Sequence, residues 1–271
     1  MFQRTGAGAL DYFPCRYGAS KLLLRGPKRR PAKQYCAVIG GTETYGKFVE
    51  IPYPKRLEER IAQQVINLGC PGAGIDAFLH DPTLLDLCQK AEVVIVQTMG
   101  AQNMSNRFYS VHPRRNDRFI RASATMKAVF HDVDFTEFSF TRHMLSRLRV
   151  LAPDRYQMVE DELKTAWVAR MKLLANQLPE HSILLHLRGG MDAAGLGQEP
   201  LFISAEMIEQ VAGSFGNVVT VEPSEAALQV GTRGMIFDPM EAPAASGLPG
   251  VAVHDEVADA LMPLVSVQWA A

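Results

Sequence analysis

An excess of charge of one sign is missing from this sequence: 28 lysines and arginines stand against 29 aspartates and glutamates, a formal net charge of −1. A chain so balanced has no overall field to draw it onto nucleic acid or an anionic membrane, and neither partner is expected. Paired cysteines are missing too. Cys15, Cys36, Cys70 and Cys88 include no Cys-x-x-Cys pair, which removes the usual sequence sign of a zinc or dithiol centre. No apolar run is long enough to span a bilayer, and Met1 to Ala9 lacks the charged-then-apolar order of a secretory leader. A cytoplasmic chain with reduced thiols is the expectation. There is no internal repeat, no Walker-type phosphate loop and no Gly-x-Gly-x-x-Gly fingerprint. Asp132 and Asp134 beside His131 have metal-ligand chemistry but no further partner, so neither a metal nor a cofactor is expected.

What is present is a sequence of 271 residues, 47% hydrophobic, enough to bury a core without covalent staples. Residues 1–34 read as a basic and aromatic arm. Its glycines and prolines (Gly6, Gly8, Gly18, Pro14 and others) break any long element, while Phe2, Tyr12, Phe13 and Tyr17 suggest packing on something. Solvated cations are the plain reading of this arm; a lobe reaching a neighbouring subunit, in a homo-oligomer, or an acidic substrate is the sharper one.

Residues 35–271 read as a single α/β domain. Tyr35 to Ile39, Val65 to Leu68, Val93 to Gln97, Ile183 to Leu187 and Val218 to Val221 are short apolar runs, separated by helical patterns. That alternation predicts a three-layer αβα fold with a mostly parallel five-stranded sheet, flavodoxin-like in winding. Helices are expected over Pro54–Gln64, from an Asp81 cap through Lys90, over Pro153–Leu178 and from a Ser204 cap to Val211. A last helix is expected from Asp255, after a loop over 238–250 that His254 closes. An insertion after the third strand, residues 104–150, carries the run SNRFYSVHPRRNDRFIRAS and a short helix near Thr141–Leu151.

The first three strands each hand over to a glycine loop on one edge, where open α/β sheets bind ligands. The loops read Gly40-Gly41-Thr42-Glu43-Thr44-Tyr45-Gly46, then Asn67-Leu68-Gly69-Cys70-Pro71-Gly72, then Gly100-Ala101-Gln102-Asn103. With a histidine, His254, ahead of the last helix, this order resembles the four blocks of the SGNH (GDSL-like) hydrolase family. Those blocks are Gly-Asp-Ser-x-Thr-x-Gly, a donor glycine, Gly-x-Asn-Asp and Asp-x-x-His. The chain departs from them at the serine, where Thr42 stands. It departs again in the third block, with Gln and Asn for Asn and Asp, and at Val251, where the acid would be. The chain also resembles a bacterial family of unknown function whose members open with the same basic, aromatic arm.

The resemblance implies an esterase or deacylase acting on a small-molecule ester or an acylated carbohydrate. Thr42 would be the nucleophile, His254 the base, and Gly72 with Gln102 or Asn103 the oxyanion donors. Asp238 or a backbone carbonyl would orient the histidine. Acyl transfer needs an activated hydroxyl and donors aimed at the developing charge, and threonine's extra methyl crowds the attack. Cys70 is a second candidate nucleophile. Gly41, Glu43, Thr44, Tyr45 and Cys70 would line the substrate site, with Arg107, Arg114 and Arg115 as an anion-binding rim beside Gly100 that His112 and Arg118 could extend. Two other classes stay open: a non-catalytic small-molecule or glycan-binding cleft, and a transferase using an anionic donor.

Overall fold

The computed structural model of this chain describes residues 10–189 and 195–269. The arm residues Phe2, Gly6 and Gly8 lie outside them. Among the described residues seven strands run in chain order: β1 (Cys36–Ile39), β2 (Val65–Asn67), β3 (Val93–Gln97), β4 (Tyr109–His112), β5 (Arg115–Ala122), β6 (Ser182–Leu187) and β7 (Asn217–Val221). Five of them form one sheet in the order β2-β1-β3-β6-β7, and every pairing in it is parallel. This is the flavodoxin-like order. Strand order reverses between β1 and β3, which opens a crevice at their carboxyl ends.

Helices α1 (Thr42–Tyr45), α2 (Tyr53–Ile61), α3 (Ile75–Leu79) and α4 (Pro82–Gln89) occupy the first half. Then come α5 (Ala124–Val129), α6 (Thr141–Leu151), α7 (Pro153–Ala175), α8 (Ala205–Ala212), α9 (Glu225–Val230), α10 (Ala242–Ser246) and α11 (Val251–Trp269). Side chains alternate across each strand. Ala37, Ile39, Ile66, Val94, Val96 and Leu184 face a core closed by α3, α4, α7 and α8, with Trp167 of α7 wholly buried. Cys36, Val38, Val65, Val93, Ile95, Ile183 and Leu185 face a second core closed by α2, α9 and α11. The sheet is thus covered on both faces, as a parallel sheet must be.

Local chemistry fixes the boundaries. Asp81 caps α4 by accepting from the Thr83 and Leu84 N–H groups, each at 3.1 Å, and Pro82 fills the first helical position, where no donor is needed. Ser204 caps α8 in the same way through Met207. Residues 10–34 pack on their own chain: Tyr17, Leu22 and Leu24 enter the first core, and Ser20 Oγ donates to Asp81 Oδ2 at 2.6 Å. Arg25 is not a solvated cation. Its guanidinium is buried and donates to the carbonyls of Tyr45 and Gly46 (both 3.0 Å), Val49 (3.2 Å) and Glu50 (2.8 Å), with the Tyr12 and Tyr45 rings against it.

Two expectations need correction, and the insertion holds one element that no expectation covered. The last helix starts at Val251, so His254 sits in its first turn, donating its N–H to the Gly250 carbonyl at 3.2 Å, rather than ahead of it. The segment 238–250 is no plain loop but holds a 3₁₀ turn (Pro239–Glu241) and α10. The arginine-rich insertion carries an antiparallel hairpin, β4–β5, with register shifts at Ser110/Val111 and Val111/His112 that disrupt simple alternation.

Candidate functional site

At the carboxyl edge of the sheet the loops after β1, β2, β3, β6 and β7 enclose a cleft of about 790 Å³. Its walls carry Gly41, Thr42 and Glu43 from the first loop, Gly72 from the second, and Gln97, Thr98, Gln102 and Asn103 from the third. The insertion contributes Arg115, Asp117, Phe140 and Arg142, and the far side adds Arg188 and Glu199.

The first loop is shaped by one polar network. Gln97, at the end of β3, uses its side-chain Oε1 to accept from the Gly41 N–H (2.8 Å) and from Thr44 Oγ1 (2.9 Å). Its Nε2 donates to Glu43 Oε2 at 3.2 Å and to the Thr98 carbonyl at 3.0 Å. Gly40 has to be glycine here, because a Cβ would stand 2.1 Å from Thr44 Oγ1 and 2.5 Å from Gln97 Oε1. Behind the loop, Thr44 Oγ1 lies 2.8 Å from the Tyr53 hydroxyl, and Tyr53 is stacked on the His254 ring with centroids 5.9 Å apart. The third loop is held from below, where Trp167 Nε1 donates to the Met99 carbonyl at 2.8 Å.

Thr42 and Gly72 are brought together. The Gly72 N–H, on a residue with φ +68°, points at Thr42 Oγ1 at 3.2 Å, so one backbone donor and one hydroxyl share a wall of the cleft. Gln102 and Asn103 also reach the wall. Gln102 is buried and folded over Gly100, its Oε1 without a partner among the described residues. Asn103 Oδ1 accepts from Thr141 Oγ1 at 3.2 Å, which leaves the nitrogen end of its amide as the group able to donate.

The histidine goes elsewhere. His254 is 2% exposed and does not line the cleft; its neighbour Val253 does. Its Nδ1 accepts from the Tyr53 backbone N–H at 3.1 Å. Burial, aided by the positive charge of Arg56 and Arg25, pushes the imidazole down to about 3, so the ring is neutral and its Nδ1 lone pair is committed. Asp238 is no orienter for it, because that carboxylate is exposed and accepts from the Met240 N–H at 2.9 Å, capping the 3₁₀ turn. Among the described residues no histidine lines the cleft.

Other candidates are also displaced. Thr44 and Tyr45 are buried under the first loop, Thr44 in the network above and Tyr45 against Arg25. Cys70 is buried off the wall, and desolvation drives its thiol up to about 11, away from thiolate chemistry. Arg107 pairs with Glu162 on the surface, Arg114 is exposed outside the cleft, and Arg118 lies over the Phe140 ring at 4.8 Å. His112 Nδ1 accepts from the Arg114 N–H at 3.2 Å. Of the arginine rim, only Arg115 lines the cleft. Asp132 forms a two-point pair with Arg155, and Asp134 caps the short turn at Thr136. His186, buried in β6, is pushed down to about 4 by desolvation.

Sequence reasoning missed Gln97, Asp117, Arg142, Arg188 and Glu199. Arg188 and Gln97 had a legible signal: each stands at the carboxyl end of a buried strand, on the edge where ligands bind. Arg142 had none, since only the docking of α6 brings it to the wall. There it pairs with Glu199, and burial lowers its guanidinium from the ordinary value while the charges of Glu43 and Asp117 oppose that. The cleft is therefore lined by arginine–carboxylate pairs and side-chain amides, a surface rich in both donors and acceptors.

No curated protein matches the chain. Among solved structures it is similar to a family two carbohydrate esterase from Clostridium thermocellum, determined in complex with cellohexaose (12% identity, TM-score 0.46, covering 92% of this chain and 67% of that one). It is similar also to the lipase Lip_vut3 from a goat rumen metagenome (10% identity, TM-score 0.44, covering 86% of this chain and 97% of that one). Residues 1–268 match the family described as Domain of unknown function (DUF6473), and the chain belongs to that family.

Proposed function

We propose that this chain is an SGNH-like ester hydrolase or deacylase for a small-molecule or carbohydrate ester, with Thr42 as the acyl-accepting hydroxyl and the Gly72 N–H as oxyanion donor. The observation that carries the reading is the 3.2 Å approach of that N–H to Thr42 Oγ1 on the wall of the cleft. A donor already aimed at the attacking oxygen needs only a small displacement to meet the oxygen of the carbonyl whose carbon that hydroxyl attacks. Asn103, with its amide nitrogen turned from Thr141, is the better second donor; Gln102 would have to unfold from Gly100. With His254 committed to Tyr53, no side-chain imidazole takes the Thr42 proton, and turnover is slow.

Hydrolysis of p-nitrophenyl acetate tests this. Thr42→Ala should reduce the rate to background, and Thr42→Ser should raise it about tenfold by removing the methyl that crowds attack. An unchanged rate in Thr42→Ala sinks the reading. The absence of a histidine from the cleft among the described residues favours a second one, a glycan-binding cleft without turnover. Binding of an acetylated xylo-oligosaccharide, measured by calorimetry with no release of acetate, would select it.

A further inference from the structure

Thr42 and Gly72 have a third neighbour, supplied by the insertion. Strand β5 is tied to the second glycine loop and to α3 behind it at three points. The Asp117 N–H donates to the Gly72 carbonyl at 3.0 Å, and Asn116 Oδ1, fully buried, accepts from the Gly74 N–H (2.9 Å) and the Ala77 N–H (3.1 Å). This docking lays the Asp117 carboxylate into the space a Gly72 side chain would fill: a Cβ there would meet its two oxygens at 2.7 and 3.0 Å. Arg115 spans both oxygens, with Nε 3.3 Å from Oδ1 and Nη2 3.2 Å from Oδ2. The oxyanion donor is thus flanked by a carboxylate whose charge Arg115 offsets by direct contact and Arg142 offsets through space.

Resting on the reading of Thr42 and Gly72 as an acyl-transfer pair, we infer that Asp117 is a charge gate on that pair. Its carboxylate disfavours negative charge on any group bound at the Gly72 N–H, and Arg115 sets how strongly. When Thr42 Oγ bonds to an ester carbon, the carbonyl electron pair moves onto oxygen and the hydroxyl proton leaves to water. That new charge arises beside the Asp117 carboxylate, which Arg115 holds in place. Asp117 is a positioning residue with two consequences. It slows formation of the tetrahedral adduct, and it turns away substrates whose acyl group carries a carboxylate or phosphate, so the acyl groups accepted are neutral.

Phenylboronic acid is the probe. On bonding to Thr42 Oγ its boron becomes tetrahedral and anionic, with the hydroxyl proton released to buffer, so its affinity reports the cost of negative charge without any turnover. Binding would be followed by ¹¹B NMR and calorimetry on the full chain. Asp117→Asn, which keeps the size and the backbone bond to Gly72, should bind the boronate about tenfold tighter, the order expected for removing a partly neutralised unit charge a few ångströms away. Arg115→Gln, which bares the carboxylate, should bind it several-fold more weakly. Opposite signs at two touching residues are not what a general loss of packing produces. Equal affinities in all three proteins, with binding still lost in Thr42→Ala, overturn the gate and leave the acyl-transfer reading standing. Weaker binding in Asp117→Asn overturns it as well. Boronate binding that survives Thr42→Ala overturns the underlying reading, and the gate with it.

Discussion

Acid should destabilise this protein through His254, by an amount the structure sets. The imidazole is neutral in the fold, lowered to about 3, and its Nδ1 accepts a backbone N–H that a protonated ring could not receive. In the unfolded chain the same ring titrates at about 6.5. Between those values the unfolded state binds a proton that the native state refuses. Stability from this group is therefore complete above pH 6.5 and falls as pH drops toward 3. At pH 4.5 the loss is about 2–3 kcal/mol, and it depends little on how far below 4.5 the native value lies. Against a total stability of roughly 5–15 kcal/mol that is a large share. The perturbation is His254→Asn, whose side-chain oxygen can still accept from Tyr53 but does not titrate. Urea unfolding of both proteins at pH 7.5 and pH 4.5 gives four free energies. The variant should lose about 2–3 kcal/mol less than the wild type over that interval. Taking the difference cancels the paired carboxylates, such as Asp132, held down to about 2 beside Arg155. Equal acid losses in the two proteins would refute the argument, because they would mean that the native ring takes up its proton freely.

Arg25→Met removes a donor shared by four carbonyls around the first loop, and should cost about 3–5 kcal/mol in chemical denaturation, since buried acceptors lose charge-assisted bonds. Gly40→Ala forces a methyl into the Thr44–Gln97 contact, and should cost about 2–4 kcal/mol while lowering any Thr42-dependent hydrolysis, which thermal melting and the aryl-ester assay would read together. Cys70, driven up to about 11, should react with iodoacetamide at pH 8 far more slowly in the folded chain than in 6 M urea; equal rates would place the thiol in contact with solvent.

The sheet was legible because parallel strands buried on both faces are written as short, fully apolar runs, and β3 has the bounds its sequence suggests. Caps were legible for a similar reason: Asp81-Pro82 and Ser204 satisfy backbone donors within three residues, so the signal is local. The glycine loops marked the right edge of the sheet, and Thr42, Gly72, Gln102 and Asn103 do share one cleft. His254 was misplaced because sequence order shows that a histidine stands near the last helix but not which way the helix turns it. That direction is set by apolar neighbours such as Val253 and Val257. The β4–β5 hairpin was hidden by its charge, since a run such as Arg115-Asn116-Asp117-Arg118 has none of the alternation of a half-buried strand. Arg142 and Glu199 meet across 57 positions, and no local pattern records such a meeting.

The cleft has two suppliers. The sheet provides Thr42 and Gly72 from loops packed closely at their bases, where a Cβ at Gly40 or Gly69 would stand 2.1–2.3 Å from its neighbours. The insertion provides Arg115, Asp117, Phe140 and Arg142 from a hairpin and a helix laid over the edge. These four side chains face the cleft and lie outside the five strands, so substitutions at them change what the cleft accepts and leave the sheet register in place. Divergence in ligand preference among proteins of this architecture therefore has a route through the cleft-facing residues of the insertion, and directed evolution for a new substrate would begin at those and leave the glycine loops alone.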